Sequence, residues 1–320
     1  NDWYATPRWQ PNQYGEITNT DFFKGDLKGI TQKLPYLKDL GISCIYLNPI
    51  ASAHSNHRYD TCDYKKIDPM LGCEDDFVSL CKKAHELDIK IILDGVFSHT
   101  GDDSRYYNKY RRYEEDGAYN SQNSKWSSWF KFDCWPDKCS CWWGVPSLPE
   151  TVEEDDSFTE FICGENGVLR HWLRLGASGW RLDVADELPD CFLDKVRTAI
   201  KTEKPNALLL GEVWEDASNK IAYSYRRRYL RGLQLDSVMN YPLRDAVKIW
   251  KEYLMGNAGI YGKRDKNLPP QPAGGILRSR YGAGICQAVL KFRGRGVLGL
   301  GGQRGACGGV HRGPDRSGQQ

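Results

Sequence analysis

Short apolar runs alternate with amphipathic stretches through the first 250 residues, and that alternation leaves few folds open. Cys44–Leu47, Ile89–Leu93, Trp180–Val184, Ala207–Leu210 and Leu235–Met239 are each too short for an ordinary helix and fit buried strands. Between them lie helical patterns. Ile30, Leu34, Leu37 and Leu40 recur at helical spacing within Gly29–Leu40; Asp75–Leu87 opens on acids; Gly164–Leu175 carries Val168, Leu169, Trp172 and Leu175. Repeated strand–helix alternation predicts an α/β fold with a parallel sheet and outer helices, either doubly wound or closed into a barrel. From about Thr100 to Glu150 a polar, aromatic-rich segment shows no period. A loop of that length inside a compact domain is usually functional.

Several of these strands run directly into ionisable residues. Ile91–Leu93 leads to Asp94 and then His99; the run from Trp180 ends at Asp183; the run from Ala207 ends at Glu212. Carboxylates at successive strand ends are what a (β/α)8 barrel presents, because its catalytic residues come from the C-terminal ends of different strands. Arg181 and Asp183 are two apart and share one strand face, which directs Trp180 and Leu182 toward the helices. Asp183 and Glu212 on neighbouring strands suit retaining glycoside hydrolysis, which needs a carboxylate and a carboxylic acid roughly 5–5.5 Å apart. Arg181 is expected to keep Asp183 ionised, and burial to raise Glu212 so that it can donate a proton. The alternative is a set of ion pairs capping a barrel core.

DGVFSH (94–99), GWRLDV (179–184) and GEVW (211–214), with YLNPI (46–50) and HRYDTCDYKKIDPMLG (57–72), resemble the α-amylase family of glycoside hydrolases. The resemblance is closest to its neopullulanase, cyclomaltodextrinase and maltogenic amylase branch, and runs from roughly Thr20 to Pro270. It implies a (β/α)8 TIM-type barrel, incomplete, with about strands two to six visible and an insertion after strand three. It further implies that Asp183 is the nucleophile and Glu212 the general acid/base, with Arg181 orienting Asp183. His57 and His99 would bond sugar hydroxyls, Tyr59 would stack beneath the ring at the cleaved residue, and Trp214 would line the acceptor side. Asp94 is carried over as structural support for Arg181 and His99. Trp126–Trp143 would form one wall of the cleft, where Trp135, Trp142 and Trp143 either meet sugar faces or seal a satellite core. The implied substrates are maltooligosaccharides, cyclodextrins or pullulan, cleaved at α-1,4 bonds with α-1,6 open.

The chain departs from that family toward its C-terminus. The family's third carboxylate lies in a His-Asp motif on strand seven, yet after Pro270 the only histidine, His311, precedes Arg312 and the only acid is Asp315. Residues 274–320 hold eight Lys/Arg, one acid and 14 of the 32 glycines, although the whole chain carries a net charge of only +2. Two segments are therefore expected: a partial catalytic barrel over 1–273, including the insertion 100–150, and a Gly/Arg-rich tail over 274–320, disordered or a frameshift product. An unclosed sheet exposes unpaired strand edges, so poor solubility and little activity are expected.

No eighteen-residue apolar run occurs, which argues against a membrane span. The 11 cysteines are irregularly spaced with no secretory h-region before them, which favours reduced thiols and a cytoplasmic setting, or an extracellular one if a leader was removed. Cys134, Cys139 and Cys141 lack paired C-x2-C units, and Ser98 stands where many family members have Asn, which some use for calcium, so no metal or other cofactor is expected. The expected partner is an α-glucan oligosaccharide, with no nucleic acid and no membrane. A monomer is expected, because the branch's dimer-building N-terminal module is missing. Three other readings remain: a catalytically dead fragment, a non-catalytic barrel binding glucans or a partner, and a nucleic-acid-binding basic tail. GRGVLG (294–299) matches a dinucleotide fingerprint only formally, since residues 300–309 beyond it are too glycine-rich to form a helix.

Overall fold

The structure, a computed structural model, describes residues 25–254. Five strands lie side by side in chain order in one parallel, curled sheet: β1 (Cys44–Tyr46), β2 (Lys90–Gly95), β3 (Gly179–Leu182), β4 (Leu208–Gly211) and β5 (Ser237–Val238). The helices are α1 (Leu27–Asp39), α2 (Glu74–Glu86), α3 (Asp156–Cys163), α4 (Val168–Arg174), α5 (Asp190–Glu203) and α6 (Tyr241–Leu254). This is an arc of a (β/α)8 barrel, with all five expected strands in place. A first strand, strands seven and eight, His311, Asp315, the 294–299 glycines and the 274–320 tail lie outside the described residues.

Strand pleating sorts the side chains into two layers. Ile45, Ile91, Leu93, Trp180, Leu182 and Leu209 point outward into the main core, against Phe77, Leu80, Trp172, Phe192 and Val196 from the helices. Trp180 and Leu182 thus face the helices, as their alternation with Arg181 predicts. Tyr46, Ile92 and Leu210 form a separate inner cluster with Cys44, Leu208 and Met239. Gly179 opens β3 at φ +153°, and a Cβ there would lie 2.1 Å from the Leu208 carbonyl oxygen, so only glycine lets the two strands approach.

The helices begin where local chemistry dictates. The Asp26 side chain accepts from the Gly29 N–H at 2.6 Å to cap α1, and Glu74, Asp75 and Asp76 place negative charge at the start of α2. The helix expected over Gly164–Leu175 spans only Val168–Arg174, because the turn from Gly164 to Gly167 separates it from α3, whose Gly164 N–H still bonds the Glu160 carbonyl. Neither α3 nor α5 was anticipated. Their signals are present: Asp155 caps Phe158, and Phe192, Leu193, Val196, Ala199 and Ile200 repeat at helical spacing. Residues 100–150 hold turns, two 3-10 turns and a hairpin pairing Phe132–Cys134 with Lys138–Cys139. Tyr106, Trp126, Trp129 and Phe130 are buried in this segment, and Trp135 donates to the Ala118 carbonyl, so these rings build a core. Among the described residues no helix is long and apolar enough to cross a membrane.

Phe97 is fully buried between Tyr64, Trp180 and Phe192 and joins the outer layer to the loop carrying His99. Phe97→Ala is expected to lower unfolding free energy by about 3–5 kcal/mol. Urea titration measures this; a loss under about 1 kcal/mol would contradict the packing described.

Candidate active site

Parallel register builds the site. Asp94 on β2 stands directly beside Arg181 on β3, and one step further the Asp183 N–H bonds the Gly95 carbonyl while the Glu212 N–H bonds the Leu182 carbonyl. All four ionisable residues therefore share the inner face at the C-terminal ends of adjacent strands. Arg181 Nη1 lies 2.7 Å from Asp94 Oδ1 and 2.7 Å from Asp183 Oδ1, and Nη2 lies 2.7 Å from Glu212 Oε2. The guanidinium also sits under the Tyr46 ring. Val184 closes the turn at φ +40°, a left-handed conformation that costs a β-branched residue about 1–3 kcal/mol. That turn aims the Val184 N–H at Glu212 Oε2, 3.1 Å away.

The charge balance reverses the expectation. Three carboxylates meet one guanidinium in a buried site, so the cluster favours holding a proton. Burial, reinforced by the Asp94 and Glu212 charges, pushes Asp183 well above the carboxylate range, and burial also raises Asp94. Glu212 is buried too, but Arg181, the Tyr241 hydroxyl and the Val184 N–H together hold it below its ordinary value. Asp183 is thus pushed toward its neutral form and Glu212 held toward its charged form. The sequence placed Arg181 beside Asp183 correctly, but its second branch toward Glu212, and Tyr241 at 2.8 Å from Glu212 Oε1, depend on packing across β4 and α6.

The expected sugar-facing residues surround this cluster. His99 is buried and held neutral, its pKa pushed down to about 4 by that burial against the opposing effect of a hydrogen bond to the Tyr59 backbone, and Ser98 Oγ bonds its Nδ1. Ser98 therefore orients His99. His57 and Tyr59 stack on one another, and burial lowers His57. Arg58 between them takes φ +66° and turns away to an ion pair with Asp68 at 2.5 Å, which directs its two neighbours the other way. Tyr59 reaches the carboxylates through Tyr46, whose hydroxyl lies 3.3 Å from that of Tyr59 and donates to Asp94 Oδ2. Tyr46 was not singled out from the sequence, although it opens the YLNPI run.

Trp214, half-exposed two residues past Glu212, meets the edge of Trp143 at a ring separation of 5.6 Å. Trp143 stacks on Trp142, and both indole N–H groups donate to Glu187, while Trp142 lies 5.1 Å from the His99 ring. Of the insertion's tryptophans, Trp142 and Trp143 lie against His99 and Trp214, whereas Trp126 and Trp135 pack within the insertion itself. Glu187 had no local signal beyond its position after the GWRLDV run. Among the described residues no group of three or more His, Cys, Asp or Glu side chains is arranged to hold a metal.

Removing the guanidinium leaves buried carboxylates unpaired, so Arg181→Leu is expected to lose about 3–5 kcal/mol. Asp183→Asn should stabilise instead. A carboxyl raised in the folded state costs stability progressively as pH climbs above its unfolded value, so the gain should be larger at pH 7 than at about pH 4. Glu212→Gln should destabilise at pH 7, because its depressed folded value contributes stability there that fades as pH falls. Thermal melts of all three variants at both pH values provide the check, and a destabilised Asp183→Asn at pH 7 would refute the charge assignment.

The profile described as the α-amylase catalytic domain matches residues 10–258. An amylopullulanase of Thermoanaerobacterium saccharolyticum is 42% identical over 293 residues, covering 83% of this chain and 22% of that protein. Neopullulanase 2 of Thermoactinomyces vulgaris is 36% identical over 254 residues, covering 77% of this chain and 40% of its own length. The solved cyclic α-maltosyl-(1→6)-maltose hydrolase of Arthrobacter globiformis, in complex with maltose, superposes with a TM-score of 0.63 at 28% identity, over 77% of this chain and 52% of that one. The chain therefore spans well under two thirds of these curated relatives, and over the part it shares with them it belongs to the α-amylase family of glycoside hydrolases.

Proposed function

We propose that this site performs retaining hydrolysis of α-glucans, with Asp183 as the nucleophile and Glu212 as the general acid/base. The observation that carries the reading is the shared guanidinium: Arg181 holds both carboxylates on one face at adjacent strand ends. For the first displacement the two groups must exchange roles. Asp183 has to be ionised to attack the anomeric carbon, and Glu212 has to carry the proton that it gives to the leaving oxygen. Three carboxylates near one cation hold a single mobile proton in effect, and sugar hydroxyls entering the cluster supply donors that favour an ionised Asp183. His99, kept neutral by burial, is suited to bonding a hydroxyl without adding charge, and burial lowers His57 in the same direction. Tyr59 offers a ring face to the apolar side of a sugar. Maltooligosaccharides, cyclodextrins and pullulan are the substrate classes that relatives called amylopullulanase, cyclomaltodextrinase and neopullulanase suggest.

A second reading is a barrel that binds glucans without turning them over. It is favoured by the raised Asp183, because a neutral carboxyl is a poor nucleophile, and by the lack of a His-Asp pair after Pro270. Trapping separates the two. An activated fluoro-maltosyl fluoride should leave a glycosyl adduct on the Asp183 peptide, read by mass spectrometry, and none in Asp183→Asn. Slow maltoheptaose hydrolysis should accompany it, with the β-anomer absent from the first product. An adduct that persists in Asp183→Asn would overturn the nucleophile assignment, and glucan binding with neither adduct nor hydrolysis would establish the second reading.

A further inference from the structure

We propose that Glu187 is the positioning residue that fixes Trp142 and Trp143 as a paired-indole platform for sugar rings on the leaving side of the cleaved bond. It thereby sets a preference for longer over shorter α-glucan oligosaccharides. The ligand half of this proposal rests on the reading of Asp183 and Glu212 as the catalytic pair.

An indole N–H only donates, and one carboxylate offers two acceptors. Glu187 uses one oxygen for each ring: Oε2 takes Trp142 Nε1 at 2.5 Å and Oε1 takes Trp143 Nε1 at 2.7 Å. The two rings lie 14° from parallel with centroids 5.1 Å apart, so the clamp holds them as a matched pair. Something must hold them, because Trp143 is 54% exposed and sits at φ +49°, a conformation a bulky side chain leaves readily. Trp143 offers the exposed ring of the pair, backed by Trp142, and an exposed indole is a surface on which apolar sugar faces pack. Their placement gives direction. Glu212, as the acid, protonates the leaving oxygen, so the departing sugar lies on its side. Trp214 comes two residues later and meets Trp143 edge to face, while Trp142 borders His99. The platform therefore begins beside the cleavage point and leads away from it, toward rings that only a longer oligosaccharide supplies.

The test uses the full chain carrying Asp183→Asn, so that glucans are not consumed, with and without Glu187→Gln or Glu187→Ala. Stacked indoles give an exciton couplet in far-ultraviolet circular dichroism, which should weaken in Glu187→Gln, where one acceptor oxygen remains, and vanish in Glu187→Ala. Calorimetric affinity for maltoheptaose over maltotriose should fall about tenfold in Glu187→Ala, the loss of roughly one sugar–aromatic contact, and less in Glu187→Gln. A couplet unchanged in Glu187→Ala overturns the clamp. A lost couplet with an unchanged preference overturns the role in chain-length selection while leaving the catalytic reading standing. If the parent binds neither oligosaccharide although its couplet is intact, the catalytic reading and this ligand assignment fail together.

Discussion

Arg181 is buried at the end of β3 with carboxylates from three strands around it, and the inner face of the sheet is organised by that contact. Burying one ion pair already costs several kcal/mol per ion before the attraction is counted. Burying three acids with one base leaves the cluster short of positive charge, and a raised Asp183 is the direct consequence. Such a cluster is a poor way to stabilise a fold, since apolar residues of similar volume usually do as well or better. Its persistence at the mouth of the barrel is therefore an argument for chemistry.

Two structural layers meet at this cluster. The strands supply the charges, with positions dictated by parallel register and hence by backbone hydrogen bonds. The loops supply the walls: the 54–60 turn directs His57 and Tyr59 through the buried Arg58–Asp68 pair, and the insertion brings Trp142 against His99 and Trp143 against Trp214. Rigid elements holding the reacting groups, with loops choosing what reaches them, is the usual division of labour in a barrel of this kind.

Much of this arrangement was legible in the sequence. Short runs such as CIYL and ALLL are apolar on both faces because a parallel strand in a barrel is covered on both sides. Asp94, Asp183 and Glu212 mark strand ends because an ionisable residue abruptly follows an apolar run. Helix α5 carries an equally clear periodicity, whereas α3 is short enough that its cap, Asp155, is nearly its whole signal. Strand lengths were less legible. The run read as a strand reaches Val184, but the strand ends at Leu182, ahead of the positive φ at Val184.

What the chain determined by itself is which residues lie at strand ends and which face each side chain takes, because an alternation of two and a helical period are local properties of the backbone. Tertiary structure alone decided which groups share a hydrogen bond or a proton. Glu187 meets a tryptophan 45 residues away, and Arg181 divides its charge among Asp94, Asp183 and Glu212, with Asp183 raised and Glu212 lowered where Arg181 and Asp183 alone suggest the opposite. Electrostatic energy falls with distance through space and depends on burial, and neither quantity is set by spacing along the chain.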